Sequence, residues 1–350
     1  MVDRPQPSLK ADDEVLAGVI SVGICGTDRE EASGGRALPP AGSTELVIGH
    51  EMMARVVQAG RSVSRVKPGD LVVFTVRRGC GNCLPCAMNR SDMCLTGNYK
   101  ERGIWGLDGY QTELVLDSER YVVRVPPELE SVGVLTEPLS VAEKAIDEAV
   151  RIQTTRLPES AARPYWLHGR RCLVAGLGPI GLLAAMALRL RGAEVYGLDI
   201  VDEASTRPAW LTRIGGTYRD ARKAPPDSLQ GMELIFEATG VASLEFNLLD
   251  ALGRNGIYVL TGIPGGDRPL QLDGADLIRR LVLQNQVMAG SVNASRDHFQ
   301  MAVDDLGQAR RQWPGLVEGL ITARRPYTDF MSVLSRHDPD EIKVTLEWGR

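Results

Sequence analysis

The chain has no apolar run long enough to cross a bilayer, no block of basic residues, and no internal repeat or low-complexity tract. The first absence excludes a transmembrane helix, which needs about 20 consecutive apolar residues. The richest apolar stretch here is interrupted by glycines. The second absence, with a net charge of −5, argues against a nucleic-acid partner, whose phosphates are met by clustered Lys and Arg. The opening MVDRPQPSLKADDE holds no apolar core of an export signal, so a cytoplasmic protein is expected. Cysteine is scarce, six in 350 residues, and four of the six are bunched. That distribution suggests metal rather than a disulfide framework. A chain of this length, 43% hydrophobic and 24% charged, can form two domains with sizeable cores.

The stretch that organises the rest is RCLVAGLGPIGLLAAMALRLRGAEVYGLD, residues 171–199. A short apolar run suits a strand buried on both faces. Gly176, Gly178 and Gly181 follow as G-x-G-x-x-G, Pro179 pre-sets a helical φ, and Gly192 can end the helix. A second strand finishes at Asp199. In this order the glycines give a tight turn, a backbone that a pyrophosphate can approach, and close helix–strand packing. Free N–H groups at the helix start favour the phosphate charge. The bland alternative is a βαβ turn whose glycines serve packing alone. Strands are expected at 171–175, 194–198, 233–238, 257–262 and 286–292, with a weaker one near 217–219. Helices are expected near 179–191, 204–214, 243–253 and 275–284, which together make a doubly wound parallel sheet.

The most specific local signal is CGNCLPCAMNRSDMC, with Cys80, Cys83, Cys86 and Cys94. Two-residue gaps let consecutive thiolates converge, and the longer excursion returns the fourth. Four thiolates with no open position describe a structural zinc site. An iron–sulfur cluster uses similar spacing, though nothing else in the chain suggests electron transfer.

Upstream, VLAGVISVGICGTD reads as a strand entering a turn with Cys25 and Thr27, and ELVIGHEMMARVVQAG brings His50 and Glu51. Each of Cys25 and His50 also fits burial in a β core. In LTEPLSVAEKAIDEAV, Glu137 precedes a helix, where it either favours the positive helix end or points into a cleft. Residues 151–169, with Pro158 and Pro164, read as a polar connection. The tail from about 294 holds two amphipathic segments and the strand-like IKVTLEW, expected to rejoin the first domain.

With GICGTD (23–28), GHE (49–51), the four-cysteine lobe, LTEPLS (135–140), GLGPIG (176–181) and FEATG (236–240), the chain resembles the zinc-dependent medium-chain dehydrogenases over nearly its full length. RRGCGNC (77–83), ERGIWGLDGY (101–110), LLDALGRNG (248–256) and SVNASRDHF (291–299) make it most similar to the glucose 1-dehydrogenase branch. The resemblance implies a GroES-like β-rich catalytic domain (1–150 and 294–350) and a Rossmann domain (151–293). It implies a catalytic zinc on Cys25, His50 and Glu137, with Glu51 able to exchange onto the metal and Thr27 relaying the alcohol's proton. Glu113, Glu137 and Asn293 fall at sugar-contacting positions. Pro179, Ile180, Thr239 and Asn293 join the three glycines and Asp199 as cofactor contacts. Glu113 also fits an exposed acid on an alternating strand, and Asn293 a cap for the helix near Arg296.

The expected reaction is oxidation of an aldose, glucose foremost, at C1 to the lactone. The alternative is a dehydrogenase of a polyol, amino alcohol or simple alcohol. Two zinc ions per chain, NAD in preference to NADP, a small sugar or polyol as the only non-self partner, and a homodimer or homotetramer complete the expectation. Two departures stand out. The chain reaches GICGTD earlier than many relatives, and Val76 stands where some glucose dehydrogenases place an asparagine.

Overall fold

A computed structural model describes residues 2–35, 37–157, 166–223, 226–265, 269–336, 338 and 340–349. The expected polar connection at 151–169 lies partly outside these, Pro158 and Pro164 included; its first residues continue the helix Thr136–Arg156. The chain divides into two compact units, Met1–Ser140 with Asn293–Arg350, and Val141–Val292.

The second unit is an α/β doubly wound sheet, as expected. Its strand order is Thr217–Asp220, Glu194–Asp199, Arg171–Ala175, Met232–Glu237, Leu252–Leu260, Val287–Gly290, and every neighbouring pair is parallel. Cys172, Leu173, Val174 and Ala175 are fully buried because this strand lies mid-sheet. The helix Pro179–Leu190 follows, and its Leu182 to Leu188 are buried. Strand order reverses beside Arg171–Ala175, so the crevice at that strand's carboxyl end is where such a fold takes a ligand. The helix expected at 243–253 is shorter. It spans Ala242–Asn247, tightens into a 3₁₀ turn at Leu248–Asp250, and gives way to a strand from Leu252. Leu252 must extend to pair with Met232, which stops the helix.

The first unit is built on a seven-stranded sheet ordered Ile321–Pro326, Lys343–Glu347, Glu14–Gly23, Glu51–Ala59, Leu71–Phe74, Val122–Val125, with Leu114–Ser118 also pairing on Glu14–Gly23. Val15, Ala17, Val19, Met52, Ala54 and Val72 pack into one core cluster, the alternating inward positions of adjacent strands. The C-terminal strand returns here as expected, with Gly23 opposite Thr345 and Ile24 N–H donating to Val344 O at 2.9 Å. The turn expected after the first strand is a short helix, Gly26–Ala32, capped by Cys25. Arg77–Arg78, Lys100–Arg102 and Gly106–Leu107 form a small separate sheet.

Candidate metal centres and dinucleotide site

Cys25 lies two residues past the first strand, in an extended conformation, and caps the helix that follows. Its backbone N–H donates to Asp28 Oδ2 at 2.7 Å, so the third helical residue fixes the cap. Asp28 is fully buried, and its Oδ1 lies 3.4 Å from Nδ1 of His50. Burial opposes charge on the His50 ring, yet Asp28 outweighs it and holds the imidazole pKa well above its ordinary value. With Nδ1 facing Asp28, Nε2 is the nitrogen left to ligate, an arrangement common behind metal-binding histidines. One ligand atom each from Cys25, His50 and Glu51 lies within 4.8 Å of the others. A thiolate, an imidazole and a carboxylate at that spacing suit zinc with a further position open. Thr27 places its hydroxyl 3.9 Å from Cys25 Sγ.

Glu137 is buried in the first turn of the helix Thr136–Arg156. It stands outside the 4.8 Å group of Cys25, His50 and Glu51. It nevertheless feels both acidic and basic members: burial, reinforced by Glu51 and opposed by His50, pushes its carboxyl up to about 7. Glu51 is held instead by Lys343, whose ammonium lies 2.7 Å from each of its carboxylate oxygens. Asp28 and Lys343 were both missed from the sequence. Asp28 had a signal in its place three residues after Cys25; Lys343 had one as the lone cation entering an apolar strand.

The four cysteines of the lobe also converge, each sulfur within 4.8 Å of the rest. A tetrahedral zinc with Zn–S near 2.3 Å separates its sulfurs by about 3.8 Å, so the set fits. Cys80 accepts from Cys83 N–H at 3.4 Å. A hydrogen bond from Thr96, with the N–H groups of Asn82 and Cys83, pulls the Cys80 thiol down to about 6. Burial pushes Cys86 up to about 12. All six cysteines are free thiols.

In the second unit, Gly176 adopts φ +86°, and a Cβ there would meet Ala238 O at 2.9 Å. A Cβ on Gly181 would fall 1.8 Å from Gly176 O, whereas one on Gly178 would meet nothing within 4 Å. The first and third glycines are thus required by the turn itself, and the second leaves open space of the kind a pyrophosphate fills. Pro179 and Ile180 open the helix. Asp199 accepts Leu177 N–H at 2.6 Å and Ile200 N–H at 2.6 Å, which anchors its carboxylate at the strand end. Thr239 donates N–H and hydroxyl to Glu237 Oε1, both at 2.5 Å. The fully buried Glu237 also accepts from Gly240 and Gly262, and its role in shaping this loop was not foreseen.

Glu113 is exposed, and its backbone carbonyl accepts from Val19 N–H. Asn293 adopts φ +65°, a conformation asparagine tolerates better than most residues. Its Nδ2 donates to Glu101 Oε1 at 2.7 Å and its Oδ1 accepts from Ala294 N–H. Glu101 in turn accepts from Nε and Nη2 of Arg77.

The pattern described as the alcohol dehydrogenase GroES-like domain matches residues 11–127, and that described as the glucose dehydrogenase C-terminus matches residues 130–348. A glucose 1-dehydrogenase of Methanocella arvoryzae is 38% identical, covering 99% of this chain and 95% of its own. One from Thermoproteus tenax is also 38% identical, covering 99% and 94%. Among solved structures, a Haloferax mediterranei glucose dehydrogenase in complex with NADP, Zn and gluconolactone superposes with a TM-score of 0.87 at 31% identity, covering 99% and 95%.

Proposed function

The chain belongs to the zinc-dependent medium-chain dehydrogenases, in the glucose 1-dehydrogenase branch, and from that premise we infer that it oxidises an aldose, glucose foremost, at C1 to the lactone with NAD(P). The observation that carries the site assignment is the convergence of Cys25, His50 and Glu51 on one point, with Asp28 behind the imidazole. When bound, zinc supplies Lewis acidity toward the C1 oxygen and the nicotinamide supplies the hydride acceptor.

The protein's own groups do the rest. Asp28 orients His50 and keeps Nε2 available. Thr27, beside Cys25, is the hydroxyl positioned to accept the proton of the C1 hydroxyl group and pass it on. Glu137, raised to about 7, is poised to hold or release a proton near neutral pH or to ligate. Glu113 and Asn293 are proposed to fix the sugar's other hydroxyls. Asn293 retains one amide hydrogen and one oxygen lone pair for this after its bonds to Glu101 and Ala294. Gly176, Gly178, Gly181, Pro179, Ile180, Asp199, Thr239 and Asn293 are proposed to cradle the dinucleotide. Residues 1–150 and 294–350 then serve metal and sugar, and 151–293 the cofactor.

No helix among the described residues is long and apolar enough to cross a membrane. Cytoplasmic residence as a homodimer or homotetramer, without a nucleic-acid partner, is part of the same reading. The free thiols support the compartment, and light scattering tests the assembly. The activity is tested by recording NAD reduction with aldoses, polyols and alcohols, alongside Glu113→Ala. Glucose should lead, and the substitution should lower kcat/KM for glucose with zinc content and NAD binding retained. Equal turnover of glucose and a small secondary alcohol, or no effect of Glu113→Ala, would give the site to a polyol or simple alcohol.

A further inference from the structure

In the first unit, beside the four-cysteine lobe at Met88 and Asn89, a cleft of about 310 Å³ opens among Arg65, Arg120 and Arg296, with Asp13, Glu119 and Asp297 on its walls. We propose that this cleft is a binding site for a phosphate group, free or carried by a small metabolite.

The argument rests on which groups are already spent. Glu119 Oε1 accepts the backbone N–H groups of Ser64 and Arg65, at 2.8 and 2.5 Å. Asp13 Oδ2 accepts the Ser118 hydroxyl at 2.6 Å. These two acids serve the local backbone and loop, and among the described residues neither lies within ion-pair distance of the arginines of the cleft, although Glu119 still acts on the Arg296 charge. Arg120 spends one nitrogen on Cys86 O at 2.5 Å, and Arg296 spends Nε on Val122 O at 3.1 Å. The terminal nitrogens of Arg296 and the whole Arg65 guanidinium remain unpaired among the described residues. The Arg65 backbone is held by Glu119, and its exposed side chain has no partner among the described residues.

Arg65 and Arg296 both face this space: burial, and then the Arg65 charge, lower the Arg296 pKa, against the opposing pull of Asp297 and Glu119. Asp297 and Glu119 offset that repulsion only in part, and an anion between the two guanidinium groups would offset it further. Planar guanidinium forks match phosphate oxygens in pairs, which makes phosphate the anion class of choice. The volume suits a small ligand. Asp297 accepts no hydrogen bond among the described residues, acts on the Arg296 charge, and opposes a dianion.

The test uses the zinc-loaded, NAD-saturated enzyme, so that the dinucleotide turn is already filled. Inorganic phosphate should raise Tm along a saturating curve that chloride at matched ionic strength does not reproduce. Arg65→Gln and Arg296→Gln should each weaken the apparent affinity about tenfold, and Asp297→Asn should strengthen it. Arg65 is exposed, so its replacement leaves the fold intact. Tighter binding of glucose 6-phosphate than of inorganic phosphate identifies a sugar phosphate as the carrier; the reverse identifies free phosphate. A rise in Tm that does not saturate, or one equally large in Arg65→Gln, overturns the proposal. Kinetics with glucose report on the metal centre independently, so failure here leaves the dehydrogenase assignment standing.

Discussion

Lys343 and Glu51 form a buried ion pair, the ammonium equidistant from both carboxylate oxygens at 2.7 Å, with the two side chains 2% and 1% exposed. The lysine also donates to Ile24 O at 3.1 Å, so it joins the C-terminal strand to the residue before Cys25. Burying two charges is costly, and removing one partner strands the other. Lys343→Met should therefore lower stability by about 3–5 kcal/mol in urea unfolding of the zinc-loaded protein. Adding Glu51→Gln should recover part of that loss. A double variant as unstable as the sum of the singles would show that the pair is not coupled.

The two thiolate-containing centres should respond differently to loss of one ligand. Cys25→Ser should abolish turnover while the protein stays folded, because Cys25 already caps its helix through its backbone N–H to Asp28. Cys86→Ser should lower Tm, since Cys86 is the buried sulfur of the lobe. Metal analysis of native protein should return two zinc ions per chain, and one in either variant. Equal loss of stability in both variants would contradict the division of roles.

Cofactor choice should follow Asp199. Its two oxygens are fixed by Leu177 and Ile200 N–H groups, and each keeps a lone pair for a ribose hydroxyl. A 2′-phosphate would bring negative charge against that anchored carboxylate. The ratio of kcat/KM for NAD over NADP should exceed one, and Asp199→Asn should shrink it about tenfold. A native preference for NADP would overturn this reading.

Acid stability should depend on Asp117. Burial disfavours its ionisation, but Arg78 and Arg102, at 2.5 and 2.8 Å, outweigh burial and hold its pKa below the ordinary value. A depressed native pKa means the contribution is fully present above the unfolded value, about 3.9. It is lost as pH falls through the lower native one. Asp117→Asn should therefore destabilise the protein at pH 7 and flatten the fall in stability below about pH 4. Urea midpoints measured from pH 6 to pH 2.5 check both parts.

Local spacing alone determined the dinucleotide turn, the four-cysteine lobe and the doubly wound sheet. In each, the residues that act together sit within a few positions of one another, so the backbone geometry between them is constrained by sterics. Gly176 and Gly181 were legible because no other residue fits against Ala238 O and Gly176 O. The metal centre was legible only as fragments. Cys25 follows one strand and His50 precedes the next, and resemblance rather than spacing joined them. Tertiary structure decided that Glu51, not Glu137, shares their 4.8 Å group, because a lysine 292 residues along the chain holds Glu51 in place. It also decided that Asn293 answers to Glu101 and, through it, to Arg77. Side-chain charges couple through space, and sequence distance carries no record of which strand the C-terminal segment will join.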